Sequence, residues 1–240
     1  MLLQTVAHCY RYPRALAYHL SAFHLHPPEN CDLLAVVYFS EQDETLGETI
    51  DYFCSLPLAP RVTLEFRSLP LDQLCRRAIG RHAAAKANDA DFVLFCDVDY
   101  LFGKGSLDIA AAAMRSACHT APHLMHVREV RSSIDHEAGD AELARVDRPQ
   151  LIEPNPSRYT TSGLRTAIGG SQWLPGKFLR ERGYLPEGHR FLRPAPRWMR
   201  TFCDKAARNW WGLPSIPLEV PNVWRIRHGA AGRFNHNCTN

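Results

Sequence analysis

No apolar run in this 240-residue chain approaches the ~20 residues that a bilayer-spanning helix needs, and the longest, in Asp91–Cys96, is far shorter. A membrane-spanning helical protein is thereby excluded. Arg11 and Pro13 interrupt the N-terminal stretch before a signal-peptide apolar region can form, so no export signal is expected. Eight cysteines are present, but none forms a C-x-x-C pair, so a structural zinc site is not expected. Reduced thiols in a cytoplasmic setting fit that pattern. Glycine is missing from His8–Arg14, which counts against a Gly-rich triphosphate loop after the first strand and so against nucleotidyl transfer. Internal repeats and low-complexity tracts are also missing.

What is present is the material of an ordinary globular domain. The chain is 45% hydrophobic, 22% charged and 10% aromatic, enough to offset chain entropy with one sizeable core. The net charge of +3 is unevenly spread. Residues 1–175 are acidic overall, whereas residues 176–240 carry Lys and Arg against only Glu181, Glu187, Asp204 and Glu219. Phe178, Tyr184, Phe191, Trp198, Phe202, Trp210, Trp211, Trp224 and Phe234 are interleaved there. Such a quarter suits an anionic ligand or polymer, or an arginine-rich solvated surface over an aromatic core.

Periodicity predicts strands at Leu2–Cys9, Cys31–Phe39, Arg61–Phe66 and Asp91–Cys96, with helices at Pro13–His24, Glu44–Cys54 and Leu71–Asn88 between them. That alternation points to an α/β fold with a mostly parallel central sheet and helices on both faces. Downstream, a helix is expected through Ala110–Ala113 and a strand near His123–Val130. The charged, proline-bearing Arg131–Pro156 reads as a long surface excursion. A strand at Thr166–Trp173, helices at Lys177–Arg182 and Met199–Trp211, and a last strand at Pro221–His228 follow. One domain is expected, with a nucleotide-binding half (1–106) and an acceptor-side half (107–240) that carries the loop 131–160.

The expected central strand ends in Asp97-Val98-Asp99. Ligands of open α/β sheets bind beyond the carboxyl ends of the strands. Two carboxylates there can hold a hard divalent cation, which in turn clamps a diphosphate. A chain with this many aspartates contains about one D-x-D by chance. Asp89-Ala90-Asp91 is a second, read as a solvated turn. Only Asp97/Asp99 follows a buried strand.

The string Gly80–Phe102, GRHAAAKANDADFVLFCDVDYLF, resembles the helix–strand–D-x-D segment of family 2-like glycosyltransferases with the GT-A fold. Thr5–Pro13 resembles the family's first strand and its nucleotide-side loop. Gly169-Gly170 with Gly183-Tyr184, Cys203-Asp204 and Arg225-Ile226-Arg227-His228 resemble its later landmarks, in the same order. The resemblance implies a GT-A type domain that moves a sugar from a nucleotide-diphosphate donor to an acceptor hydroxyl, with Mn²⁺ or Mg²⁺ assisting and a UDP-sugar as the expected donor. Residue by residue, it implies Asp97, Asp99 and His228 around the metal, with Asp97 and Arg81 also near the nucleotide. It further implies Asp204 as general base, and Gly169 and Gly170 as the backbone approached by the donor sugar. Asp43 and Thr45 match the string after the second strand, but Tyr38 and Phe39 replace the base-binding position, leaving open a stacking contact by Tyr38 or another nucleotide. His82 stands where Asn is usual, and Cys203 where Glu is usual. The acceptor is expected to be a saccharide or, given the basic last quarter, modified DNA. A non-catalytic module of the same fold is the alternative.

Plainer roles stand beside these. Asp97 could cap the following segment, Arg81 could be a solvated helix residue, and His228 a packed imidazole. Asp204 could pair with Arg200 or Arg208, and Gly169-Gly170 could form a bulge.

Overall fold

The computed structural model describes residues 1–168, 170–196 and 203–229. Its first half follows the alternation of the sequence: β1 (Leu2–His8), α1 (Pro13–Leu25), β2 (Asp32–Phe39), α2 (Gly47–Ser55), β3 (Val62–Ser68), α3 (Leu71–Leu74), α4 (Arg77–Lys86) and β4 (Phe92–Cys96). Pro13 opens α1, where its missing N–H costs nothing and its fixed φ suits a helix start. The expected long helix Leu71–Asn88 is instead two, because Arg76 adopts a non-helical backbone (φ −100°, ψ 73°). The break gives α4 its own direction, with Arg77 and Arg81 one turn apart on a shared face.

The remaining elements are β5 (Tyr100–Phe102), α5 (Ser106–Ala117), β6 (Leu124–Val127), β7 (Glu129–Ser133), α6 (His136–Leu143), β8 (Tyr159–Gly163), β9 (Ser171–Pro175), α7 (Gly176–Arg182), α8 (Asp204–Trp211), β10 (Ser215–Leu218) and β11 (Val223–Arg225). Seven strands form one sheet in the order β10-β6-β9-β4-β1-β2-β3, and four form a second in the order β5-β11-β7-β8. In the large sheet only β9 runs antiparallel to its neighbours, β4 and β6. The chain moves outward from β1 through β2 to β3 and then returns to place β4 on the other side of β1. That reversal opens a crevice at the carboxyl ends of β1 and β4, the place where such sheets bind ligands.

β4 is covered on both faces. Leu94 and Cys96 join the cluster built on α1 and the second sheet, while Val93 and Phe95 join the one under α4, Tyr184 and Trp211. A strand so enclosed must be apolar throughout, which is why it reads as a continuous run.

The segment 131–160 is not the expected excursion. It contributes β7, α6 and the start of β8. One of its charges turns inward: the Glu142 carboxylate has no exposed surface and accepts from the Tyr18 hydroxyl at 2.8 Å, the Asn155 backbone N–H at 2.9 Å, and Arg145 and Arg158. Composition cannot tell a paired, buried charge from a solvated one. The same segment grips the C-terminal strand. Gly139 lies so close to the Arg227 carbonyl that a Cβ there would sit 1.5 Å from its oxygen, and the Gly229 N–H donates to Asp140 at 3.2 Å. The Met199–Trp211 helix begins at Asp204 among the described residues, and Met199–Phe202 lies outside them.

Removing one member of a buried ion-paired cluster strands the others. Glu142→Ala is therefore expected to cost about 3 kcal/mol in denaturant unfolding, whereas Tyr18→Phe costs about 1 kcal/mol. Equal, small losses would contradict the buried cluster.

Candidate active site

Two buried arginines organise the rim of the crevice. Arg81 has no exposed surface, and its guanidinium lies 5.7 Å from the Phe95 ring centre and 5.6 Å from that of Tyr184. Its Nη2 reaches Asp97 Oδ1 at 3.3 Å, and its Nη1 reaches Asp204 Oδ1 at 3.1 Å, the Tyr184 hydroxyl at 3.0 Å and Gln172 Oε1 at 3.3 Å. A buried cation is tolerated only with extensive pairing of this kind. Burial pulls the Arg81 pKa down, but Tyr184, Asp204 and Asp97 together hold it above its ordinary value. Arg77, one turn earlier, also binds Asp97 Oδ1, and its Nη2 stands 3.8 Å from Asp204 Oδ2. Asp97 from the end of β4 and Asp204 from the first turn of α8 are thus drawn to one pair of arginines. Arg208 donates to the Ala167 carbonyl at 2.7 Å, so it is not the partner of Asp204.

Asp99 sits two residues further along. Its backbone carbonyl accepts from the Ile226 N–H at 2.9 Å, and its Oδ2 lies 3.7 Å from Arg225 Nε. Asp99 Oδ1 is buried with no hydrogen-bond partner. An orphaned carboxylate oxygen at the end of a central strand has the chemistry of a hard-cation ligand. Among the described residues, no three His, Cys, Asp or Glu side chains gather as a metal-holding group. Asp97, expected beside the metal, has its Oδ1 taken up by the two arginines.

His228 follows β11 to the same end of the sheet. It is 8% exposed, its Nδ1 lies 3.4 Å from the Tyr12 hydroxyl at the mouth of α1, and the rings are 5.1 Å apart. The strand that carries it is bonded to Asp99 through Ile226, so the imidazole and the carboxylate share one rim.

The other expected residues have different duties. Tyr38 is turned inward rather than toward a base: it is 3% exposed, stacked on His8 at 5.0 Å, and packed where a Cβ on Gly80 would stand 3.1 Å from its ring. Asp43 is buried. Its Oδ2 accepts the Arg11 N–H, and its Oδ1 accepts the Thr45 N–H at 3.1 Å and hydroxyl at 2.7 Å. Arg11 has a φ of 57°, in the left-handed region, so Asp43 pins the loop after β1 in a conformation it would not otherwise hold. Gly170 makes room for protein rather than sugar, since a Cβ there would meet the Tyr100 ring at 2.2 Å. Gly169 lies outside the described residues. Arg77, Gln172 and Tyr184 were not expected at the site; the spacing of Arg77 and Arg81 on one helix face was the available signal for the first.

Several described arginines of the basic last quarter contact carbonyls and rings of the fold. Arg180 donates to the Asn88 and Ala90 carbonyls, Arg182 covers the Trp210 ring at 4.5 Å, and Arg190 lies over Phe191 at 5.0 Å. Two cavities among the described residues lie elsewhere. One of about 250 Å³ is lined by Tyr18, Phe102 and Trp224, and one of about 300 Å³ by Arg131, Thr161 and Glu219.

This architecture matches known structures along nearly the whole chain. The crystal structure of S. aureus TarS 1-349 in complex with UDP superposes with a TM-score of 0.59 at 12% identity over 93% of this chain. The mannosyltransferase PcManGT from Pyrobaculum calidifontis, in complex with GDP-Man and Mn²⁺, gives a TM-score of 0.51 at 14% identity over 93% of this chain. The chain has a GT-A-like glycosyltransferase fold. It spans 60% of that TarS chain and 56% of PcManGT. No protein-family model matches the sequence, and no curated protein does. Among the described residues of the GT-A-like domain, no helix is long and apolar enough to cross a membrane.

Burial pushes the Asp99 pKa up to about 7, with the neighbouring Asp97 charge adding to the rise and Arg225 opposing it. A carboxyl raised above its unfolded value stabilises the fold at low pH and loses that contribution as pH rises through about 7. Without cation, the wild type is expected to lose stability between about pH 4 and about pH 7 relative to Asp99→Asn. Mn²⁺ binding, followed by calorimetry, should tighten over the upper part of that range. Parallel stability profiles for the two proteins would contradict the assignment.

Proposed function

We propose that the chain transfers a sugar from a nucleotide-diphosphate donor to an acceptor hydroxyl at the rim formed by Asp97, Asp99, Asp204 and His228. One observation carries the reading: two carboxylates from distant parts of the chain, Asp97 and Asp204, converge on the same buried arginines beside the crevice of a GT-A-like sheet. Ligands of the structural neighbours support the donor class, since TarS is seen with UDP and PcManGT with GDP-Man and Mn²⁺. A UDP-sugar is the first donor to test. Tyr38 is too enclosed to hold its base.

Asp204 is the general base. Its Oδ1 is fixed by Arg81 and Tyr184, while no described residue donates a hydrogen bond to its Oδ2, leaving that oxygen for the acceptor's proton. A carboxylate that is ionised at neutral pH and within reach of a hydroxyl can do this work. The acceptor oxygen then attacks the anomeric carbon, the bond from that carbon to the diphosphate oxygen breaks, and the nucleoside diphosphate leaves. Asp99 and His228 would hold a divalent cation, Mn²⁺ or Mg²⁺, which when bound neutralises the charge growing on the diphosphate. Arg77 and Arg81 keep Asp97 and Asp204 in register around the reacting centre. A saccharide hydroxyl is the first acceptor class to test ahead of modified DNA, because Arg180 and Arg208 are engaged with carbonyls and Arg182 with a ring.

With Mn²⁺ and a panel of nucleotide sugars, the wild type is expected to hydrolyse or transfer from at least one donor. Asp99→Ala should reduce that turnover by roughly a hundredfold. Undiminished turnover in Asp99→Ala would remove the metal assignment, and binding of nucleoside diphosphate without turnover would favour a non-catalytic module.

A further inference from the structure

Arg77 is a positive charge that a helix facing a metal-binding carboxylate pair does not need. Arg81 alone already pairs with both Asp97 and Asp204. Arg77 is 7% exposed, so the protein bears the cost of desolvating a second guanidinium four residues away. The mutual repulsion of the two cations adds to that cost, and Arg81 opposes the rise that Asp97 gives to the Arg77 pKa. Retaining two buried guanidiniums between two carboxylates implies that they do different things.

Their contacts separate those tasks. Arg81 reaches Asp204 through Oδ1, the same oxygen that meets the Tyr184 hydroxyl at 3.2 Å. Arg77 faces the other oxygen, Oδ2, from 3.8 Å, beyond hydrogen-bond distance yet close enough for strong attraction in a buried setting. Its second arm is tied to Asp97 at the end of β4. A planar guanidinium bonded at one end to the sheet and facing α8 with the other fixes both distance and direction, which a lysine ammonium cannot do.

We infer that Arg77 is a positioning residue: anchored on Asp97, it aims Asp204 Oδ2 at the incoming hydroxyl without occupying that oxygen. The inference rests on the transferase reading, in which Asp204 is the base. Arg81 supplies the fixed end of the carboxylate and Arg77 orients the free end. The arrangement keeps Oδ2 charged and open until an acceptor arrives. Loss of Arg77 therefore slows the chemical step and leaves donor affinity nearly intact.

The test is steady-state hydrolysis of UDP-glucose and GDP-mannose with Mn²⁺, water serving as acceptor. Wild type, Arg77→Met, Arg77→Lys, Asp204→Asn and the two double variants with Asp204→Asn are compared, with thermal unfolding checked for each. Arg77→Met is expected to lower kcat about tenfold with donor KM changed less than about twofold, and the loss should vanish in the Asp204→Asn background. Arg77→Lys should recover only part of kcat, and it carries the test alone if Arg77→Met does not fold. An equal loss in both backgrounds, a loss confined to KM, or full recovery by lysine would each overturn the role. A wild type that hydrolyses neither donor fails at the earlier step and overturns the transferase reading together with this one.

Discussion

A guanidinium sealed inside the protein is the constraint around which the rest of this structure is arranged. Arg81 cannot be buried unless acceptors surround it, and the fold brings them from four places: the end of β4, β9, the turn after α7 and the start of α8. Each acceptor group is thereby fixed in space. Tyr184 and Gln172 are consumed by the arginine, whereas Asp97 and Asp204 keep one oxygen each beyond it. Pairing of one charge through both terminal nitrogens thus leaves two carboxylates held firmly at a crevice.

The second requirement is that the C-terminal strand reach the same rim. β11 is bonded to β5, immediately after Asp99, and is held from behind by β7 and α6. Ser133 bonds both the N–H and the carbonyl of Arg227, and Gly139 allows that carbonyl to lie against the helix. The position of His228 therefore depends on a stretch remote from it in sequence. The smaller sheet is what joins the two halves of the site.

Much of the first half was legible in the sequence. β1, β2, β3 and β4 lie where apolar runs bounded by turn residues placed them, and Asp97 and Asp99 stand at the expected strand end. Those features are local, so periodicity reveals them. The pairing of Arg77 and Arg81 with Asp204, the inward turn of Tyr38 and the use of Asp43 to pin Arg11 all join residues far apart in the chain, and no window of sequence contains both partners. The stretch 131–160 misled for a related reason. Its charges resemble those of a solvated loop until Arg145, Arg158 and Tyr18 are seen to close on the buried Glu142 carboxylate. Gly170 was expected from its resemblance to an acceptor-side motif, but its missing Cβ is filled by Tyr100, a contact that only the folded chain brings about.

The proposed nucleoside diphosphate site is the crevice at the ends of β1 and β4, and direct titration calorimetry tests it without knowledge of the acceptor. UDP or GDP titrated into the wild type with Mn²⁺ is expected to bind with a Kd on the order of micromolar, and Arg81→Met, which leaves Asp97 and Asp204 with Arg77 as their remaining arginine, should abolish the signal. No heat from either nucleotide with the wild type, or equal binding by Arg81→Met under conditions where it stays folded, would contradict it.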